Sequence, residues 1–379
     1  MRSAAWAAIA ILAAACPLHA QDSLTVADTL PGWAINLGVH HAGLSLGNSS
    51  RWNGLRINVS DRAVRQVNGI NVTLWKPGRN RFAIYRGISV GVAPSGASFT
   101  GITLGIAGAV AERSMTGINV GGLGLVSNGD LGGLNASLLG TVANGSMYGI
   151  NLAGLGTVAQ GDMVGLNVAG LGTVSQGRMR GVSVAGLGTV AEGDMEGINI
   201  AGLATVSQGH MYGLNMSGLG TVAEGDMRGL NVSGLAAVSQ GNMGPLTIAG
   251  LAAVADGDVE GLTLAGVAIV GAGAVTGATV TVGAVESATA IRGVTVAGYR
   301  VKAPRVQGVA IPVAWLRAGR LDGVSISIYN RVVTSQHGLT IGLVNYAKAL
   351  HGFQLGIINI VGNNHGFARV LPLANVHLP

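Results

Sequence analysis

A period of sixteen residues governs the middle of this chain. Between residues 149 and 260 it reads GINLAGLGTVAQGDMV, GLNVAGLGTVSQGRMR, GVSVAGLGTVAEGDME, GINIAGLATVSQGHMY, GLNMSGLGTVAEGDMR, GLNVSGLAAVSQGNMG and PLTIAGLAAVADGDVE. So short a fixed period marks a repeat architecture, in which each unit packs only against its neighbours. Counted from the opening residue of each block, apolar side chains recur at positions 2, 4, 7, 10 and 15. In the second block these are Leu166, Val168, Leu171, Val174 and Met179. Positions 2 and 4 share a strand face because successive side chains alternate. Position 7 breaks that parity, so the chain must bend between 4 and 7.

Glycine stands at position 6 of every block (Gly154, Gly170, Gly186, Gly202, Gly218, Gly234, Gly250) and again at position 13, where it suits a corner. One coil is then a short strand, a corner, a second strand, a turn and a short return, with all five apolar side chains pointing inward. The fold this predicts is all-β: a β-solenoid of about sixteen-residue coils with irregular terminal caps. A lone coil cannot stand. Five buried apolar side chains contribute roughly 8–15 kcal/mol, at about 1.5–3 each. Ordering the backbone of one coil costs on the order of 16–32 kcal/mol, so many coils must stack.

The competing architecture is an outer-membrane antiparallel β-barrel. Positions 1–10 carry no charge in any block from 101 to 276, and about ten residues is the length of a tilted membrane strand. ANGS at 143–146 and ADGD at 255–258 suit hairpin turns. Against the barrel, Leu at position 7 falls on the opposite face from 2, 4 and 10, and aromatic girdles are missing.

Positions 12 and 14 alternate in charge along the blocks. Position 14 runs Asp162, Arg178, Asp194, His210, Asp226, Asn242, Asp258. Equivalent residues of a stack sit about 4.8 Å apart, where two like charges repel by about 0.9 kcal/mol even in water. Alternation relieves that repulsion, and duplication of a two-repeat unit would leave the same pattern.

Residues 1–20, MRSAAWAAIAILAAACPLHA, read as a secretory signal peptide cut after Ala20. Cys16, the single cysteine, leaves with it; Ala13-Ala14-Ala15-Cys16 only partly matches a lipoprotein box. The remaining chain then has no thiol for a disulfide, a metal or a nucleophile. Residues 21–100 form an N-terminal cap of degenerate repeats (NGLRINVS, NGINVTLW, RGISVGVAP), with KPGRNR at 76–81 among the irregular pieces between them. Residues 101–292 are the regular body, and 293–379 hold shorter repeats and a closing cap. No stretch after the leader is long and apolar enough for a helical span.

Charge divides by region. Residues 101–290 carry four basic and twelve acidic residues; the flanks after the leader carry seventeen basic and four acidic ones. The cluster Arg292, Arg300, Lys302, Arg305, Arg317 and Arg320 is the candidate contact for an anionic surface. A solvated cap that discourages end-to-end stacking explains it as simply. The partner class is an envelope or surface component (lipid, lipopolysaccharide, glycan or protein). Nucleic acid is not expected, since no aromatic–basic platform is visible in the sequence.

The tandem Gly-[Leu/Ile/Val]-Asn-[Val/Ile]-[Ala/Ser]-Gly-Leu units, the leader, and the closing GLTIGLVNYAKALHGFQLGIINIVGNN (338–364) with VLPLANVHL (370–378) resemble a family of uncharacterised bacterial surface-repeat proteins. The resemblance covers nearly all of the chain after the leader. It implies a surface or outer-membrane location and no activity.

The expected function is that of an exported structural or adhesion protein without enzymatic activity or cofactor, the alternative being a barrel channel or transporter. No P-loop, HExxH or CxxC motif occurs. His337, His351 and His365 each precede a repeat glycine at fourteen-residue spacing and are the candidates for a metal-binding or pH-responsive column. Turn residues of no special function are the simpler reading. Glu224, Asp226, Asp256 and Asp258 are the nearest approach to a calcium site. Thr141 to Thr221 at position 9 make a hydroxyl column like that of ice-binding solenoids, interrupted by Ala237 and Ala253.

Overall fold

Each strand of the repeat body is hydrogen-bonded in parallel to the strand one coil before and the strand one coil after. The computed structural model describes residues 32–75 and 80–377. The leader with Cys16, part of the KPGRNR segment and Pro379 lie outside the described residues. The chain is nearly all strand and winds through about 19 coils as a β-solenoid. In a typical coil, Met163–Ala169 is the long strand and Gly172–Ser175 the short one. Met163–Ala169 pairs in register with Met179–Ala185, and Gly172–Ser175 with Gly188–Ala191. Position-2 residues therefore neighbour one another in parallel (Leu166 beside Val182), which excludes the antiparallel barrel.

The corners fall where glycine was expected, at 170–171 and 176–177 in this coil. At position 6 a Cβ on Gly170 would collide with the carbonyl oxygen of Gly154 one coil away. The glycine at position 1 is the more demanding. From Gly43 to Gly352 these residues stack in one column broken by Pro245, and each has a left-handed φ, +117° at Gly165. A Cβ on Gly165 would meet the carbonyl oxygen of Gly149. Only glycine tolerates both the dihedral and the approach.

The facing of the coil is the reverse of that expected from hydropathy. Of positions 2, 4, 7, 10 and 15, only 15 points inward: Met147, Met163, Met179, Met195, Met211 and Met227 are all fully buried. The rest of the interior comes from positions 3, 5, 9 and 11, represented by Asn167, Ala169, Thr173 and Ser175, each 3% exposed or less. The reason is width. The inner faces of the two strands meet closely, as the 2.9 Å hydrogen bond between Ser217 and Thr221 across one corner shows. Large side chains at all of the inward positions would overfill that gap, although positions 9 and 15 also admit branched ones, as Leu125 with Leu131 and Ile269 with Val275 show. In the central coils small residues, Asn, Thr and one unbranched Met per coil fill it.

Parallel in-register stacking also gives the buried asparagines partners. Asn119 Nδ2 donates to Asn135 Oδ1, Asn135 to Asn151 and Asn151 to Asn167, each at 2.8 Å. The amide carries donor and acceptor together, so an identical neighbour at the repeat distance satisfies it. Ser183 interrupts the ladder, and it resumes from Asn199 through Asn215 to Asn231. The threonine hydroxyls of position 9 are buried too, so they present no outward hydroxyl array.

Antiparallel strands close both ends. Ala34–Val39 pairs with Ala42–Gly47, which starts the parallel stack, and Val370–His377 runs back along Leu350–Val361. A solenoid needs such covers because its terminal coils leave an unpaired edge. Near the entry the interior changes character. Arg56 and Asp61 form a fully buried ion pair at 2.5 Å, with Asn58, Asn71, Thr73 and the Tyr85 hydroxyl all hydrogen-bonded to the Asp61 carboxylate. Burial pushes the Asp61 carboxyl up, but the Arg56 charge and the bonds from Asn58, Arg56 and Thr73 outweigh it and hold the pKa below its usual value. Burial, and then the Asp61 charge, push the Tyr85 phenol well above its usual value.

Candidate functional site

With the small side chains inside, the apolar ones are on the surface. Leu155, Leu171, Leu187, Leu203, Leu219, Leu235 and Leu251 form a ridge along the position-7 corner, each 44–48% exposed. Positions 2 and 4 flank it on the long-strand side, for example Ile150, Leu152, Ile198 and Ile200 at 37–39%. The half-buried valines of position 10 (Val158, Val174, Val190) flank it on the short-strand side. Isolated exposed leucines are ordinary; a continuous apolar surface along a rod is not, and such patches mark interaction sites.

The charged residues take the opposite edge. Every Asp, Glu, Lys and Arg between 101 and 276 stands at position 12, 13, 14 or 16. Position 14 has a structural task that accounts for most of its composition, Arg178 and Ala274 excepted. Its side chain accepts the backbone N–H of position 14 in the next coil: Asp130 from Ser146, Asp162 from Arg178, Asp194 from His210, Asp226 from Asn242 and Asp258 from Ala274. Ser146, His210 Nδ1 and Asn242 do the same for the aspartates that follow them. Each of these residues is a short acceptor, and alternation keeps two carboxylates from being nearest neighbours. The Arg178 backbone N–H first, and its guanidinium next, hold the Asp162 carboxyl below its usual range and raise the Arg178 pKa in return.

The six basic residues singled out in the sequence separate into two groups. Arg300, Lys302 and Arg317 lie on the outer face of the short-strand side. There the register aligns Glu286, Lys302, Arg317 and Arg331 in one row. Arg300 is ion-paired with Glu286, and its guanidinium carbon sits 5.7 Å from the centre of the Trp315 ring. Trp315 meets Tyr299 edge-on at 6.4 Å. Arg331, Trp315 and Tyr299 were missed because they lie in different coils, joined only by the register. A shallow groove lined by Val254, Val270, Glu286, Lys302, Arg317 and Val333 runs along this row.

Arg292, Arg305 and Arg320 belong instead to the polar edge. Arg320 Nε is 2.8 Å and Arg305 Nε 3.9 Å from Asp322, and Arg292 Nε donates to Gln307 at 3.2 Å. Their charge is partly spent on internal partners.

His337 and His351 do stack, with ring centres 4.8 Å apart. The third ring is His377 of the closing strand, 6.1 Å from His351; His365 instead precedes the short 3-10 helix Gly366–Arg369. Among the described residues, no group of three or more His, Cys, Asp or Glu side chains is placed to hold a metal ion. That includes Glu224, Asp226, Asp256 and Asp258.

Comparison with protein-family models, with curated proteins and with solved structures found no match to this chain. What the geometry supports on its own is a tandem-repeat rod.

Proposed function

We propose that the protein is an exported structural element of a bacterial cell envelope, without catalytic activity, that acts by adhesion or envelope packing along its length. The observation that carries this reading is the in-register repetition of outward side chains from coil to coil. About 19 coils at roughly 4.8 Å each make a rod of about 90 Å. A partner that makes one weak contact with a coil makes it many times along the rod, and repetition converts low affinity into avidity.

The channel alternative falls with the barrel. The interior of the coils is packed with Met, Asn, Ala and Thr side chains and leaves no lumen for a solute.

The test is to express the full chain with a C-terminal tag in a bacterial host and fractionate the cells. The expected result is tagged protein in the envelope fraction with Gln21 as its first residue. Recovery from the cytosol with residues 1–20 intact overturns the reading.

A further inference from the structure

The apolar ridge and its two flanks point to a lipid bilayer leaflet as their occupant: we propose that the rod lies along a membrane with its position-7 edge sunk into the hydrocarbon and its charged edge at the headgroups. The inference deepens the envelope reading by naming the partner. Its test uses purified protein, so a failure of export and a failure of insertion are told apart.

Shape is the first argument. The coils opening at residues 101 to 261 share the charge-free surface of positions 1–11. Eleven coils at about 4.8 Å, each with a perimeter of about 36 Å over those positions, present on the order of 2,000 Å². That surface faces three ways: out from the long strands, out from the short strands, and along the corner between them. A second copy docked face to face would cover one side, and a standard interface uses only about 800 Å² per partner. Fluid hydrocarbon covers all three.

Depth is the second. The strands run across the rod, from the charged edge to the corner and back. Positions 1 to 6 span about 16 Å, close to the roughly 15 Å of hydrocarbon in one leaflet of a bilayer with a core of about 30 Å.

The third is backbone pairing. Hydrocarbon offers no partner for a bare N–H, so a lipid-facing backbone must be satisfied within the protein. Here Gly170 N–H donates to Ala153 O at 3.2 Å, Leu171 N–H to Leu155 O at 2.7 Å and Gly172 N–H to Leu155 O at 3.1 Å. The same pattern recurs from Leu155 to Leu251.

The boundary residues agree. Position 16 lies between the charged edge and the apolar flank; it holds Tyr148, Arg180, Tyr212 and Arg228, together with Glu196, which is ion-paired with Arg180, and Glu260. Tyrosine is enriched at headgroup depth, and arginine there buries its stem while its charge stays wet. The edge itself is rich in Asp and Glu, so attraction comes from the hydrocarbon and not from anionic headgroups.

The experiment uses the chain from Gln21 onward, free of the leader and so of Cys16, with either Leu203→Cys or Gln208→Cys, labelled with a polarity-sensitive fluorophore and mixed with phosphatidylcholine vesicles. The expected result is flotation with the vesicles that survives high salt. A blue shift and quenching by lipid-borne quenchers are expected at 203 and not at 208. Adding Leu171→Asp and Leu235→Asp to the Gln208→Cys chain is expected to cut flotation by about tenfold or more. Absence of flotation, equal quenching at both positions, or loss of binding in salt overturns the proposal. So does a blue shift at 203 without vesicles accompanied by a doubled hydrodynamic mass, which assigns the surface to a second copy.

Discussion

Met195 and Leu203 lie in neighbouring turns of the stack and distinguish the observed facing of the coil from the one hydropathy suggests. Met195 is fully buried between Met179 and Met211, while Leu203 is 44% exposed. Met195→Ala removes three heavy atoms, worth about 2.4 kcal/mol of transfer at about 0.8 each. The cavity adds to this, because an in-register stack cannot collapse around one coil, so the expected cost is about 2.5–4 kcal/mol. Leu203→Gln, at the exposed corner, is expected to stay within about 0.5 kcal/mol in aqueous buffer. A solenoid is not a two-state domain, so the readout must be local. Hydrogen exchange on peptides covering 179–217 measures the opening free energy of the affected coils. Protection should fall in Met195→Ala, most strongly in the coils on either side, and remain in Leu203→Gln. If Leu203→Gln costs as much as Met195→Ala, the packing argument is refuted.

Three further outcomes follow from the same geometry. Gly165→Ala places a side chain at φ +117° against the Gly149 carbonyl, whereas at Gly172 the nearest atom to a Cβ is 3.6 Å away and other coils carry Ala204 or Ala236 there. Hydrogen exchange on peptides covering 149–181 should show Gly165→Ala destabilised locally by about 1–3 kcal/mol from backbone strain alone, and Gly172→Ala near wild type. Asp194→Ala should cost about 1 kcal/mol by stranding the His210 N–H it accepts, while Asp194→Asn keeps an acceptor and should cost less, as hydrogen exchange on peptides around 194–210 in both would show. The depressed Asp61 pKa means its contribution is complete above the unfolded value of 3.8 and drains away as pH falls below that through the folded value. An acid titration followed by the buried Trp52 fluorescence should show the N-terminal coils loosening only in that range. Asp61→Ala, which leaves Arg56 buried and unpaired, should cost about 3–5 kcal/mol and abolish the transition.

The sixteen-residue period, the glycine corners and the charge-free run at positions 1–10 were all legible in the sequence, because each is a matter of which residue stands where. They suffice for a solenoid. Strand parity also sorted much of each coil into two sets, 2, 4 and 10 against 3, 5, 9 and 11. Which set faces inward could not be read that way. Hydropathy favours Leu and Val inside, but the space between two closely apposed strands is decided only when the coil closes. In the central coils that space takes Asn, Ala, Thr, Ser and one Met. Register decided the rest. It gave the buried position-3 asparagines identical partners and set Arg331 and Trp315 beside residues from other coils. It also turned position 14 from a charge pattern into a column of backbone acceptors. These contacts join residues about sixteen apart through parallel stacking, and they exist only once the chain has wound past itself.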